Sequence, residues 1–149
     1  MRVNKEMSCQ QQNAESAFTQ NVQPLLHEIH HALSDLLETG STRIIDLRAL
    51  PLAPGEEGLI ESALGRGEVT ATLNALGPSQ IAETGVSGVW LITHFNTEKE
   101  IIGKFIEITR MPSILETQME DLQQSLQAMP ALLLKYDAGQ HYTMEDQDV

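Results

Sequence analysis

The residues from 69 to 75 alternate strictly between apolar and polar side chains. The apolar positions are Val69, Ala71, Leu73 and Ala75. Successive side chains of a β-strand point to opposite faces of a sheet, so this period of two predicts a strand with one buried face. Gly77 and Pro78 end the run and predict a turn. Such a strand needs neighbouring strands to pair with it and a further layer to cover its apolar face.

The flanking sequence predicts both the neighbouring strands and the covering layer. Residues 22–38 carry apolar side chains at spacings of three and four, which predicts an amphipathic helix, and Gly40 is placed to end it. Residues 80–84 predict a weaker strand that follows the turn. The segments 89–95 and 101–109 are separated by a short polar stretch, which predicts an antiparallel hairpin.

Two further helices are predicted from their terminal signals. Pro54 suits the first turn of a helix, and Glu56 and Glu57, which follow it, suit the positive end of the helix dipole. The buried side of this short helix is predicted to be Leu59, Ile60, Ala63 and Leu64. Ser113 and Glu116 form a capping box at the start of a last helix, which Pro130 limits. Its apolar stripe is Ile114, Leu115, Met119, Leu122, Leu126 and Met129.

The order of these elements, with a short buried strand at 42–47 after the first helix, is typical of an α+β domain. We expect a largely antiparallel sheet of about four to five strands, covered by the N- and C-terminal amphipathic helices. The predicted organisation is a disordered polar tail at 1–20, one α+β domain at 21–130 and an acidic tail at 131–149. Leu33 and Leu122 are expected to be buried where the two helices cover the sheet.

The net charge of −12 narrows the classes of partner. With nine Lys and Arg residues and no basic cluster, the chain is not expected to bind nucleic acid or an anionic membrane surface. A basic peptide or protein is the more suitable partner. Cys9 is the only cysteine, which excludes an intrachain disulfide and a Cys-x-x-Cys redox pair. No secretory signal or membrane span is recognised, so a cytoplasmic location is expected.

Three histidines, His27, His30 and His31, invite a metal-binding interpretation, because imidazoles one turn apart can chelate a divalent ion. On the predicted helix, however, His27 and His31 point away from the apolar stripe and His30 lies on its flank. Exposed imidazoles lack the buried partners that orient real metal ligands. We therefore expect neither a metal site nor a cofactor.

The polar residues near the predicted strands offer little catalytic chemistry. The segment Gly65-Arg66-Gly67-Glu68 follows a predicted helix and precedes a strand, which is the reverse of the order in a dinucleotide-binding loop. A tight turn that needs positive φ is the simpler interpretation. The acids Glu68, Glu83 and Glu107 lie in or beside strands, and nothing in the sequence brings them together. Trp90 is expected in the core, with an anchor in a binding patch as the alternative.

Several short motifs, taken in order, resemble the conserved C-terminal region of hydrogenase expression/formation proteins of the HupH/HyaF type. They are the IDLxxLPL run from Ile45 to Leu52, Gly65 to Val69, Glu83-Thr84, Gly88 to Trp90 and Ile106 to Ile108. The resemblance extends over about residues 25–129, and no catalytic role comes with it.

The resemblance implies a non-enzymatic assembly chaperone for an uptake [NiFe] hydrogenase, acting on its iron–sulfur small subunit or the precursor of that subunit, alongside other hydrogenase accessory proteins. Polar motif residues at strand ends are the candidate contact patch, since loops there often carry function. The candidates are Arg66, Glu68, Glu83, Thr84 and Trp90. The residues alone leave open a small metal carrier, a carboxylate-based enzyme, or an interaction module that forms a homodimer.

Overall fold

A computed structural model of the chain describes residues 21–137. Within them, residues 21–112 form one compact unit and residues 113–137 belong to a second. The elements of the first unit are α1 (Val22–Thr39), β1 (Arg43–Asp46), α2 (Glu56–Leu64), β2 (Thr70–Ala75), β3 (Gly77–Glu83), β4 (Val89–Phe95) and β5 (Ile101–Ile108). The second unit contains a 3₁₀ turn (Ser113–Leu115) and α3 (Met119–Asp137). The tail predicted at 1–20, with Cys9, and the chain after 137 lie outside the described residues.

The five strands form one open sheet in the order β1-β5-β4-β3-β2, and every neighbouring pair is antiparallel. β2 to β5 follow one another as three hairpins, and β1 pairs with β5 at the far side. The α+β class and the antiparallel sheet predicted from the sequence are confirmed. The predicted hairpin from β4 to β5 is confirmed as well.

The core lies between one face of this sheet and the two helices of the first unit. Ile45, Leu91 and Ile106 share one cross-strand row, since Leu91 and Ile45 both pair with Ile106. Side chains of the two helices pack against this row. The buried members of the cluster are Leu25, Ile29, Ala32, Ile45, Leu47, Ile60, Leu64, Val89, Ile106 and Ile108. We call this side of the sheet the core face.

Helix α1 has the bounds and the cap that its sequence predicts. Gly40 has φ +75° and donates its backbone N–H to the Leu36 carbonyl at 2.9 Å. Only glycine adopts this left-handed conformation without strain from a Cβ, which is why the helix ends there. Leu33, expected to be buried, is half-buried and packs against the core.

Helix α2 begins at Glu56 and is fixed to the start of α1 by that residue. The Glu56 carboxylate is fully buried and accepts hydrogen bonds from Asn21 Nδ2 and from the Ala53 backbone N–H, each at 2.8 Å. The Asn21 backbone N–H is a third donor, at 3.2 Å. These bonds, with the Asn21 side chain first, hold the pKa of Glu56 below its usual value of 4.5. Glu56 thus lies at the start of the helix, as predicted, and its carboxylate is buried and hydrogen-bonded there.

The predicted buried sides of α2 and β2 are partly wrong. Leu59 and Ala63 are exposed, because the buried positions of α2 are Glu56, Ile60 and Leu64, which follow one another at intervals of four. Leu73 of β2 is 40% exposed, although its alternation predicted a buried face. The strand itself exists, but it lies at the edge of the sheet, and the register places Thr72 on the core face and Leu73 on the opposite face, away from α1 and α2.

The second unit also departs from the sequence prediction. The capping-box residues form a 3₁₀ turn, in which Glu116 N–H donates to the Ser113 carbonyl, and the α-helix starts only at Met119. Pro130 lies inside α3 and does not end it, so the tail predicted from 131 begins as helix. No residue of α3 is buried, and Leu122 is 49% exposed. The burial expected for its stripe is therefore not found.

Candidate functional site

A groove of about 660 Å³ opens on the core face of the sheet, beside α2. Its floor includes a polar row in which Thr72 pairs with Gln80, Gln80 with Thr93, and Thr93 with Lys104. Ile60, Glu61 and Leu64 of α2 line one side, Phe95 and Ile101 lie among the lining residues, and the turn from Gly65 to Gly67 also lines it. This volume lies in the range of ordinary ligand pockets, about 300–1,000 Å³.

Lys104 lies among the lining residues of the groove and joins the sheet to α2. Its ammonium group forms ion pairs with Glu57, at 2.5 Å, and with Glu61. Burial alone lowers the pKa of Lys104, but the hydrogen bonds to the two carboxylates outweigh burial, and the net shift is upward. Lys104 is thus a fixed cation at neutral pH and does not offer the neutral amine that a nucleophilic lysine needs.

The turn after α2 is held by two glycines for different reasons. Gly65 has φ +69°, which favours glycine on backbone grounds. Gly67 donates its N–H to the Glu83 carbonyl at 2.8 Å, and a Cβ at this position would stand 2.5 Å from the Thr84 carbonyl oxygen. The predicted helix-to-strand turn is therefore confirmed. Arg66, between the two glycines, is presented to solvent by an anchored backbone.

Four of the five predicted site residues line the groove or lie next to it. Arg66, Glu83 and Thr84 line the groove, and Glu68 lies two residues beyond Arg66 on the chain. Arg66 and Glu68 are exposed and Glu83 is half-buried. Within residues 21–137 their side chains form no ion pair or hydrogen bond with another residue. These groups are therefore solvated charges, available to a partner.

The side chains of Trp90 and Thr84 are buried, and their polar groups are hydrogen-bonded within the protein. Trp90 is 5% exposed, and its Nε1–H donates to the Thr109 carbonyl at 3.1 Å. Thr84 is buried too, and its hydroxyl both donates to the Val86 carbonyl and accepts from the Val86 N–H. Trp90 is a satisfied interior residue, as the simpler sequence interpretation had it. Thr84 stabilises the turn that carries Glu83.

Sequence reasoning missed one contact between chemically active groups. Ser79 Oγ and His94 Nδ1 are hydrogen-bonded at 2.7 Å on neighbouring strands, β3 and β4. The imidazole also packs edge-on against Phe105, with ring centroids 5.6 Å apart. In the part of the chain that the structure describes, no carboxylate is hydrogen-bonded to His94. Only the pairing of β3 with β4 brings the two together, so no local spacing could have signalled this pair.

The remaining candidate metal-binding and catalytic residues are not brought together. His27, His30 and His31 are all exposed on α1, and residues 21–137 contain no group of three or more His, Cys, Asp or Glu residues placed to hold a metal ion. Glu83 and Glu107 both pair with Trp90 from opposite sides. Their backbones are thus two strand spacings apart, about 10 Å, which is wide for a shared proton. No helix among the described residues has the length and apolarity to cross a membrane.

Comparison with known proteins assigns the chain to a family. The model of the HupH hydrogenase expression protein, C-terminal conserved region, matches residues 19–136. The chain belongs to this family. A solved structure, the hydrogenase expression protein HupH from Thiobacillus denitrificans, superposes with a TM-score of 0.74 at 39% identity, over 78% of this chain and 97% of that one. The predicted resemblance is confirmed, and the solved structure supports the α+β fold predicted from the order of elements.

Curated relatives agree in name and are longer. The hydrogenase expression/formation protein HupH of Rhizobium leguminosarum is 28% identical over 109 residues, which is 73% of this chain and 39% of the relative. The protein HoxQ of Azotobacter vinelandii, with the same description, is 27% identical over 111 residues. The chain thus spans about two fifths of the length of the curated relatives that it matches.

Proposed function

We propose that this chain is a non-enzymatic accessory protein in the maturation of an uptake [NiFe] hydrogenase. It binds the iron–sulfur small subunit, or its precursor, in the cytoplasm before the enzyme is assembled, and it works beside other hydrogenase accessory proteins. The observation that carries the proposal is the family match from residue 19 to residue 136, which spans all the described elements. The relatives named above are hydrogenase expression/formation proteins.

The chemistry of the groove supports binding without turnover. Its buried cation, Lys104, is neutralised by Glu57 and Glu61. The charges that remain available, on Arg66, Glu68 and Glu83, are solvated groups. Catalytic groups usually lie in a protected cleft. Solvated charges beside an open groove fit recognition of a partner surface, where they speed encounter and select the partner.

A pull-down of the small-subunit precursor tests this proposal. The double substitution Glu68→Gln and Glu83→Gln removes two charges at the end of the groove and keeps the side-chain shapes. A matched control, Glu38→Gln with Glu98→Gln, removes two exposed charges elsewhere in the first unit. We expect wild type and control to capture the precursor equally and the groove variant to capture less, with capture by all three falling as salt rises, because exposed charges are screened beyond about 8 Å at physiological ionic strength.

Two results would count against the proposal. If wild type captures no precursor from low to moderate salt, the chaperone role fails. If the groove variant, shown to melt cooperatively near the wild-type temperature, captures as much as the control, this end of the groove is not the contact surface.

A further inference from the structure

The two edge strands of the sheet differ in how well they are protected against pairing with a strand of another chain. β1, at one edge, is four residues long and carries charged side chains at both ends, Arg43 and Asp46. β2, at the other edge, is six residues long, is exposed along almost its whole length and contains no charged residue and no proline. Charges, prolines and shortness are the means by which proteins keep edge strands from pairing with another chain. β2 has none of them.

The hydrogen-bond pattern shows which backbone groups of β2 face outward. The Glu83 N–H donates to the Val69 carbonyl, which fixes the phase of the antiparallel ladder between β2 and β3. Bonded and non-bonded pairs alternate along such a ladder, so Ala71 exchanges bonds with Ile81, whereas Thr72 and Gln80 form a non-bonded pair. Asn74 opposite Pro78 is again a non-bonded pair, which agrees with the missing N–H of proline.

The outward-facing N–H and C=O groups of β2 are therefore those of Thr70, Thr72 and Asn74. Among residues 21–137, β2 pairs with β3 alone. Thr70 and Thr72 also line the groove. A strand added at this edge would satisfy the free backbone groups and would place every second side chain at the mouth of the groove. The backbone ladder and the pocket for side chains thus lie side by side.

Charge identifies the kind of strand that fits. Four carboxylates and two cations lie in and around the groove, namely Glu57, Glu61, Glu68 and Glu83 with Arg66 and Lys104. A second copy of this chain, with its net charge of −12, would be repelled. A basic segment would be attracted. The apolar part of the groove, with Ile60, Leu64 and Phe95, accepts an apolar side chain.

We propose that β2 binds an extended segment of a partner protein as a sixth strand, and that this segment carries apolar side chains at alternate positions and at least one Lys or Arg. The proposal deepens the proposed function, on which it rests for the existence of a protein partner. It specifies that the partner is held through its backbone, in an unfolded or extended stretch.

The test uses the full chain and a phage-displayed library of random peptides about 10 residues long, enough to pair with the whole of β2. Thr72→Pro removes one outward N–H and places a ring at the edge, while the bonds to β3 remain. Thr72→Ala keeps the N–H and measures separately what loss of the threonine side chain costs. We expect selected peptides to be enriched in Lys or Arg and to bind Thr72→Pro at least about tenfold more weakly than Thr72→Ala.

Amide hydrogen exchange of wild type with a selected peptide gives a second measurement. The amides of Thr70, Thr72 and Asn74 should become protected, whereas those of Ala71 and Leu73 should already be protected in the free protein. Failure to select any peptide, equal binding by Thr72→Pro, or a wild-type dimer that Thr72→Pro dissociates would each overturn the proposal. If Thr72→Pro still captures the small-subunit precursor, this inference is refuted and the proposed function stands. If the selected peptides need the β2 edge but wild type does not capture the precursor, only the hydrogenase role is refuted.

Discussion

Proline substitutions at two adjacent positions of β2 should have very different effects on stability. Ala71→Pro removes an N–H that, by the phase of the ladder, donates to the Ile81 carbonyl. The lost hydrogen bond is worth about 1 kcal/mol net, and Ile81 is 1% exposed, so its carbonyl is left without water at a further cost of about 1–3 kcal/mol. We expect Ala71→Pro to lower the free energy of unfolding by about 2–4 kcal/mol.

Thr72→Pro should lower the free energy of unfolding by less than about 1 kcal/mol. The N–H of Thr72 points away from β3, and the extended conformation of Ala71 suits a residue before proline. Thr72→Ala separates the loss of the threonine side chain from the effect of the ring. Urea unfolding followed by circular dichroism measures all three variants, and the Ala71→Pro midpoint should fall by about 1–2 M at an ordinary slope. If the free energy of unfolding falls equally in the two proline variants, or falls more in Thr72→Pro, the assigned phase of the hydrogen-bond ladder between β2 and β3 is wrong.

Further substitutions test the core, the turn and the buried carboxylate. Ile106→Ala should cost about 2–5 kcal/mol in urea unfolding, because Ile106 is fully buried, whereas Leu122→Ala in the exposed helix α3 should change stability by less than about 0.5 kcal/mol. Gly67→Ala should cost about 1–3 kcal/mol, since the new Cβ meets a backbone carbonyl that cannot turn aside; an unchanged midpoint would mean that the turn is pliable. Hydrogen bonds from Asn21 and Ala53 lower the pKa of Glu56, so its contribution to stability is complete above its usual pKa of 4.5 and is lost as pH falls through the lowered value. The fall in urea midpoint on acidification should therefore be smaller in Glu56→Gln than in wild type, and identical pH profiles would contradict this role.

The sequence predicted the elements whose signals are local. The spacing of apolar residues and Gly40 located α1, and the run from Val89 to Phe95 with the hairpin after it matched β4 and β5. The alternation in β2 identified a strand but not its burial, because strand order decides which strand lies at an edge. An edge strand and a central strand can show the same alternation of apolar and polar residues in the sequence.

The candidate site shows the same division between local and long-range information. Gly65 and Gly67 marked the turn, and Arg66, Glu68 and Glu83 were recognised as polar residues at strand ends. The groove depends on how α2 lies on the sheet, which Lys104 and its two carboxylates fix across more than forty residues of sequence. Trp90 was placed in the contact patch because exposure of a lone tryptophan cannot be read from its neighbours in the chain.

The strand order also sets the sequence of events when the chain is made. α1 and β1 leave the ribosome before the other elements of their unit, but β1 pairs with β5, the last strand of the sheet, where Asp46 lies opposite Phe105. β2, β3 and β4 each pair with the next strand synthesised. The apolar stripe of α1 is therefore the first apolar surface of the domain to be produced and among the last to be covered. During synthesis, α1 is therefore exposed before the strands that cover its apolar stripe exist.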